Sequence, residues 1–303
     1  MLDRPEDFVG RVTFVTGPEK HCGKTTFMNR AAALARRGAR ESGRAAPALL
    51  TVGYDGEARD FLSGARKPAV PVEPGDLVVT TERFARPCSP EILDALPGST
   101  ALGRLCVARA GRPATVALVG PEGNSLVAWA VRRILDDGLA DTVLVDGAIN
   151  RVTQAASIDG ARFVYAVRVD AAGLDRSVSR VRRMAALAGL PLASADAPAG
   201  GGEGACGSVA VSGALTAETA ARLPPSAEEV VVDDFTKVFL SDAELAAFTR
   251  GRRLLVARRV EFGGFVVACR GLSDDAFLER LADDSIAAAV AFNPYEERPG
   301  RAA

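Results

Sequence analysis

The sequence has a single histidine among its 303 residues, and its five cysteines are scattered without a CxxC pair. One histidine argues against histidine-rich zinc sites and against most catalytic triads, which use a histidine base. Scattered cysteines support neither a metal-binding cluster nor a disulfide framework, and they are typical of a reduced cytosol. We therefore expect a cytoplasmic protein.

The sequence also lacks an excess of positive or negative charge and any long apolar run. Lys and Arg total 37 against 38 Asp and Glu, so the formal net charge is −1. That balance lacks the positive surface that nucleic-acid and acidic-membrane binders use. No apolar run approaches the length of a membrane span, and the acidic start lacks the apolar segment of a signal peptide. We expect neither a nucleic-acid nor a membrane partner, and we interpret clustered arginines such as Arg36 and Arg37 as solvated helix surface.

Short β-branched runs alternate with helical stretches rich in Ala, Leu and Arg along the chain. Continuous apolar strands divided by helices predict an α/β fold, with a mainly parallel sheet covered by helices on both faces. Segment 69–82 predicts a β-hairpin closed by Glu-Pro-Gly-Asp, and segment 89–96 predicts a helix. The Gly/Ala-rich stretch 193–207 predicts a flexible linker or long loop. It would separate an α/β domain at 1–192 from a smaller α/β part at 208–303, which could pack on the same sheet.

The segment "FVTGPEKHCGKTT" (14–26) places a glycine-containing turn between an apolar strand and a helix. A phosphate-binding loop needs that order, because the N–H groups of the turn and of the helix N-terminus attract phosphate. In this interpretation Lys24 reaches the β- and γ-phosphates of ATP, Thr25 supplies a hydroxyl to Mg²⁺, and Thr26 lies near the α-phosphate. The opposing interpretation is an accidental Gly-Lys-Thr at a helix start.

The spacing of this loop departs from the Walker A pattern. Five residues separate Gly17 from Gly23, where Walker A has four. The loop resembles instead the G-x(5)-G-K-T loop of dethiobiotin synthetase, which implies a P-loop NTPase-type protein that acts on small metabolites or switches partner proteins. Lys20 could take the place of the additional lysine that marks this subclass. The nucleotide-binding residues predicted here also include Glu19, Lys20, His21 and Cys22.

Two of these loop residues have competing interpretations. His21 could contact phosphate or a partner, or it could be an exposed histidine without a chemical role. Cys22 lies beside Lys24 at a helix N-terminus, where a thiol pKa is lowered and oxidation is favoured. Alternatively, Cys22 is a small residue that packs beneath the loop.

A Mg-nucleotide site also needs an acid, and two candidates follow apolar strands. Asp146 ends the strand "TVLVD" and is the predicted acid for Mg²⁺. Lys24 and Asp146 are the two catalytic candidates. The alternative for Asp146 is an ordinary Asp in a strand-end turn. Asp55 follows the strand after the P-loop helix, at the sheet edge where α/β proteins bind ligands, and is the second Mg²⁺ candidate. Asn124, in "LVGPEGNS", could contact substrate or γ-phosphate, or could simply cap a helix. Asn293 also follows a strand and could contact ligand or be an ordinary loop residue.

Six segments, taken in order, resemble one family: "VTGPEKHCGKTT", "TVGYDGEARDFLSGARKPAV", "GDLVVTTE", "LVGPEGNS", "TVLVDGAINR" and "DFTKVFL". Together they resemble the nucleotide-binding reactivase subunit of adenosylcobalamin-dependent lysine 5,6-aminomutase, and "YDGEARD" and "VDGAINR" are the most specific of them. The resemblance implies an ATP-binding, ATP-hydrolysing subunit that works with a MutS-like ATPase partner to release damaged cobalamin from the aminomutase, in the manner of a chaperone. It also implies that Lys24 and Thr25 hold Mg-ATP and that Asp55 and Asp146 occupy switch positions.

Two other functions stay open. A dethiobiotin-synthetase-like enzyme would use ATP to modify a small carboxylate metabolite, with residues 120–125 as its substrate loop. A chain that binds nucleotide only weakly would serve as an interaction module. The absence of an NKxD motif favours ATP over GTP, and the sequence leaves open whether the protein forms a homo-oligomer.

Overall fold

The computed structural model of the protein describes residues 2–19, 22–53, 70–147, 158–194 and 207–293. The chain divides into two compact units: the first comprises Met1–Ser177 and Phe262–Ala303, and the second comprises Val178–Glu261. These bounds differ from the sequence-based division at 193–207, and the chain returns to the first unit at Phe262. Most of the linker predicted at 193–207 lies outside the described residues.

Helices and strands are interspersed along the described part of the chain. The strands are β1 (Val12–Thr16), β2 (Ala48–Thr51), β3 (Val70–Val72), β4 (Leu77–Thr81), β5 (Glu91–Ala95), β6 (Leu105–Arg109), β7 (Ala114–Val116), β8 (Val143–Asp146), β9 (Arg162–Asp170), β10 (Ser208–Ala210), β11 (Glu229–Val232), β12 (Arg253–Val256), β13 (Glu261–Arg270) and β14 (Val290–Phe292). The α-helices are α1 (Lys24–Ser42), α2 (Glu82–Ala85), α3 (Asn124–Asp136), α4 (Leu174–Ala188), α5 (Ala217–Ala221), α6 (Asp242–Gly251), α7 (Asp274–Leu281) and α8 (Asp284–Ala287). No helix among the described residues is long and apolar enough to cross a bilayer.

A nine-stranded sheet with the order β14-β13-β9-β1-β8-β2-β4-β6-β5 organises the described part of the first unit. Pairing is parallel from β9 through β1, β8 and β2 to β4, and also between β13 and β14. The edge formed by β4, β6 and β5 is antiparallel. The α/β fold with a large, mainly parallel sheet is therefore confirmed.

The core of the first unit lies between α1 and the central strands. Phe27, Met28 and several alanines of α1 form one buried cluster with Val15 of β1, Leu144 of β8 and Val164 of β9. Phe14, which points to the other face of β1, is also fully buried. Burial on both faces explains why the central strands are continuous apolar runs, not alternating ones.

The hairpin predicted at 69–82 is wrong in its pairing. β3 pairs antiparallel with β7, whereas β4 joins the large sheet between β2 and β6. The Asp76 carboxylate stabilises the turn between β3 and β4. It accepts a hydrogen bond from the Glu73 N–H at 2.7 Å and another from Nε of Arg36 in α1. Arg36 is only 5% exposed, so its interpretation as solvated helix surface is also wrong.

The helix predicted at 89–96 is a strand. β5 forms the edge of the large sheet and pairs antiparallel with β6, with an irregularity between Ile92 and Asp94. The Asp94 carboxylate accepts Nε of Arg133 from α3 at 2.8 Å. Pairing with a neighbouring strand and this ion pair override the local helix signal of Ser-Pro-Glu.

The second unit contains a smaller parallel sheet in the order β10-β11-β12. The helices α5 and α6 separate these strands along the chain, and each begins with a hydroxyl cap: Thr216 before α5 and Ser241 before α6. Hydroxyl caps of this kind satisfy the free N–H groups at a helix start. This region is therefore α/β in its own right.

Candidate functional site

The segment between β1 and α1, residues 17–23, is called the β1–α1 loop below. Gly17 is buried directly after β1, and Gly23 immediately precedes α1 with a left-handed φ of 90°. A side chain at Gly17 would collide with the carbonyl oxygen of Ala166 in β9, so only glycine fits between the two strands. Lys20 and His21 lie outside the described residues, and their predicted roles stay predictions.

Lys24 folds back onto the β1–α1 loop from the first position of α1. Its Nζ donates to the backbone carbonyl of Glu19 at 2.7 Å and lies 3.4 Å from the sulfur of Cys22. Lys24 thus contacts both Glu19 and Cys22, and Nζ is held at the start of the helix where phosphate would be attracted. The Glu19 side chain is exposed, so the described role of Glu19 is carried by its backbone oxygen.

Cys22 packs beneath the loop. Its thiol is fully buried and donates to the Glu19 carbonyl at 3.2 Å. Burial raises the pKa of Cys22 and outweighs the opposing influence of Lys24. The expected lowering of the Cys22 pKa is therefore wrong, and the alternative of a small residue that fills space under the loop is the one that the structure supports.

Thr25 and Asp146 meet at the carboxyl end of the sheet. The Thr25 hydroxyl donates to Oδ2 of Asp146 at 2.6 Å, and both residues are half-buried. β1 and β8 are adjacent and parallel, with Val15 opposite Asp146. Because parallel neighbours end at the same edge, the first turn of α1 comes to lie over the end of β8.

β2 fixes the backbone of Asp146 from the other side. The Asp146 carbonyl accepts the Val52 N–H at 2.9 Å and the Thr51 hydroxyl at 3.1 Å. The carboxylate therefore projects from a peptide held by two strands, which limits its movement. Asp55, the second predicted acid, follows this strand but lies outside the described residues.

The loop at 120–125 lies against the same end of β2. The Gly53 N–H donates to the Pro121 carbonyl at 2.7 Å, and Gly120 touches the carbonyl of Thr51 so closely that no side chain would fit. Asn124 is the first residue of α3, with Gly123 as the N-cap and no side-chain cap. The helix-cap interpretation of Asn124 is therefore wrong, while its contact with a ligand stays a prediction.

Asn293 lies closer to this site than its position in the sequence suggests. It follows β14 directly, is only 4% exposed, and its Nδ2 would be 2.7 Å from a Cβ placed on Gly23. The signal that points to Asn293 is the one that points to Asp146, namely a polar residue at the end of an apolar strand. The neighbouring contact with the β1–α1 loop is not visible from sequence.

The donor set at this site suits magnesium better than zinc. It offers a carboxylate and a hydroxyl, which are hard oxygen ligands, next to a helix N-terminus. Within the described ranges, no three His, Cys, Asp or Glu side chains are grouped to hold a metal. Mg²⁺ needs no such cage, because it retains several waters and is commonly bound through one or two protein ligands and substrate phosphates.

Comparison of the chain with protein-family models, with curated proteins and with solved structures gives no match.

Proposed function

We propose that this protein binds Mg-ATP at the β1–α1 loop and hydrolyses it as the nucleotide-binding subunit of a cytoplasmic reactivating factor for a cobalamin-dependent aminomutase. The contact of 2.6 Å between the Thr25 hydroxyl and the Asp146 carboxylate carries the first half of the proposal. It joins two of the three predicted Mg²⁺ ligands across 121 positions of sequence, beside the lysine predicted to bind phosphate.

The described residues fit the proposed ligand. The N–H groups at the start of α1 and Nζ of Lys24 would bind the phosphates, and the oxygens of Thr25 and Asp146 would bind Mg²⁺ directly or through its waters. The metal would neutralise charge on the β- and γ-phosphates during phosphoryl transfer. Lys24 would exchange its bond to the Glu19 carbonyl for one to phosphate, so the free loop already holds the ammonium near its working position.

The reactivating role rests on the sequence resemblance. Two segments are the most specific. In the sequence "YDGEARD" at 54–60 follows β2, and "VDGAINR" at 145–151 begins with the last two residues of the adjacent strand β8. The second segment would respond directly to the nucleotide, because it contains Asp146, the last residue of β8; the first segment lies outside the described residues. Such a response could be passed to an aminomutase and to a MutS-like partner.

Titration calorimetry tests the nucleotide site. The wild type should bind Mg-ATP, and Lys24→Ala should lose most of that affinity because the loop loses its cation. Arg37→Ala is the matched control, since Arg37 is an exposed cation of the same helix, paired only loosely with Glu41 at 3.9 Å. The absence of heat with wild-type protein at millimolar Mg-ATP would instead support a simple interaction module.

Reactivation of a damaged enzyme tests the second half of the proposal. An aminomutase inactivated by turnover is incubated with free adenosylcobalamin, Mg-ATP, the MutS-like partner and this protein. Recovery of activity should require this protein and should fail with Lys24→Ala. Equal recovery with wild type and Lys24→Ala would refute a nucleotide-driven reactivation.

A second candidate is a dethiobiotin-synthetase-like enzyme that phosphorylates a small carboxylate metabolite. The observation in its favour is the position of the 120–125 loop, which contacts the end of β2 next to the strand that carries Asp146. That arrangement leaves the exposed first turn of α3 at the same sheet edge as the proposed nucleotide site. Release of ADP that is stimulated by a small carboxylate, without any protein partner, would favour this candidate over the reactivating factor.

A further inference from the structure

The end of β14 is fixed next to the β1–α1 loop by the large sheet. The Asn293 N–H donates to the carbonyl of Val267 in β13 at 2.8 Å, which anchors the Asn293 backbone. Its side chain is nearly fully buried, and Nδ2 lies 2.7 Å from the position that a Cβ on Gly23 would occupy. A rigid strand end therefore touches the last residue of the loop.

Gly23 is the residue through which a neighbour can control the start of α1. Its carbonyl accepts the Phe27 N–H at 2.9 Å and so forms the first turn of the helix. Glycine at a φ of 90° has no Cβ to restrict it and can move over a wide range of conformations. The amide of Asn293 occupies the space that a side chain on Gly23 would fill.

We propose that Asn293 is a positioning residue that holds Gly23, and through it the N–H groups of the first turn of α1, in the geometry that binds phosphate. This inference rests on the proposed nucleotide site. Asn293 acts on Lys24 and Thr25 through the backbone of Gly23. It is therefore distinct from the residues predicted to touch nucleotide or Mg²⁺.

Two substitutions separate this role from ordinary packing. Asn293→Ala removes the amide and leaves Gly23 free to move. Asn293→Asp keeps the shape of the side chain but places a carboxylate beside the N-terminus of α1. In the free protein the helix N-terminus stabilises this negative charge. The same carboxylate would compete with bound phosphate for these N–H groups. Val290→Ala is the control, because it weakens the packing of β14 at a position paired with Phe265, away from the loop.

Mg-ATP affinity, thermal stability and amide exchange are measured for the three variants. Asn293→Ala should weaken Mg-ATP binding by about tenfold, the usual loss when a supporting contact of a ligand site is removed. Asn293→Asp should weaken binding further while its melting temperature without nucleotide is no lower than that of Asn293→Ala. Val290→Ala should lower the melting temperature and leave affinity within about twofold of the wild type. Exchange of the Phe27 amide in the free protein should be faster in Asn293→Ala only.

The outcomes distinguish this proposal from the one on which it rests. Wild-type affinity in Asn293→Ala, or an equal loss of affinity in Val290→Ala, overturns the positioning role. Tighter binding of Mg-ATP by Asn293→Asp overturns it as well. A wild type that binds no Mg-ATP refutes the proposed function. The positioning of Gly23 by Asn293 is then tested by amide exchange at Phe27 alone. An unchanged exchange rate of the Phe27 amide in Asn293→Ala would overturn that positioning role.

Discussion

Replacement of Arg36 by Met would leave Asp76 as a buried carboxylate without its cation. Nε of Arg36 donates to both carboxylate oxygens of Asp76 at 2.9 and 3.0 Å, and Nη2 lies 2.8 Å from Oδ2. Nη2 also donates to the carbonyl of Pro71 at 2.8 Å. The two side chains are 5% and 0% exposed, so water cannot take over these bonds. In the variant, the Glu73 N–H would still donate to Oδ2 of the carboxylate, but the Arg36 cation would no longer face it.

Removal of one partner from a buried ion pair costs about 3–5 kcal/mol, because the other charge stays buried and uncompensated. For a unit of this size, each kcal/mol corresponds to roughly 2–4 °C in melting temperature, which gives a fall of roughly 6–20 °C. Burial already raises the pKa of Asp76 in the wild type, and Arg36 opposes that rise. Loss of Arg36 should raise the pKa further, so the carboxyl takes up a proton more readily and the cost of the substitution shrinks as the pH falls.

Urea unfolding followed by tryptophan fluorescence measures this cost in the first unit, because the only tryptophan, Trp129, lies in α3. Arg40→Ala is the matched control: Arg40 lies on the same helix and bonds Glu73 at 2.7 Å, but with 66% and 47% of the two side chains exposed. Such an exposed pair contributes less than about 1 kcal/mol. If Arg36→Met costs no more than Arg40→Ala, the argument from burial is refuted.

The remaining predictions concern the site, a glycine contact and one buried thiol. Asp146→Asn should lower Mg-ATP affinity by roughly 10–100-fold and reduce its dependence on Mg²⁺, whereas Asp136→Asn, at an exposed helix end, should not; titration with and without Mg²⁺ compares them. Gly120→Ala should destabilise the first unit by about 2 kcal/mol or more in urea unfolding, since its Cβ would overlap a carbonyl oxygen of β2. Gly123→Ala in the same loop meets no such overlap and should cost about 1 kcal/mol or less, the loss expected when alanine replaces glycine at an N-cap. Burial raises the pKa of Cys106 to about 11, so the native state keeps a proton that the unfolded chain loses at lower pH. The wild type should therefore lose stability more steeply than Cys106→Ala as the pH rises from about 9 to about 11, and equal slopes in urea midpoints against pH would contradict this assignment.

Elements with a strong apolar pattern could be predicted from sequence. β1, β8 and β9 are short runs rich in apolar, β-branched and aromatic residues, a pattern that favours strands buried on both faces. The same pattern locates Asp146, because the acid is the first polar residue after such a run. Pairing partners are different, since nothing in 69–82 states that β3 leaves its neighbour for β7. A tight turn between two strands indicates a hairpin locally, and the contacts that override it come from elsewhere in the chain.

The burial of Arg36 could have been predicted from the helical pattern of α1. Ala32 and Ala39, four residues before and three residues after Arg36, lie on its face of α1 and are both buried, so these alanines mark the side that packs inward. An arginine on such a face indicates a buried cation that needs a carboxylate partner. The partner itself, Asp76, could not be chosen from sequence, because many acids follow at comparable distances along the chain.

The proposed site combines one relationship that sequence rules give and one that they do not. Thr25 and Asp146 meet because an apolar strand, a turn and a helix start are followed by a second apolar strand that ends in an acid, and adjacent parallel strands end at one edge. The rule that selects Asp146 also selects Asn293, but it gives no order of strands in the sheet. β14 lies three strands from β1, with β13 and β9 between them. Whether its end reaches Gly23 therefore does not follow from the sequence, and the contact is seen only in the folded structure.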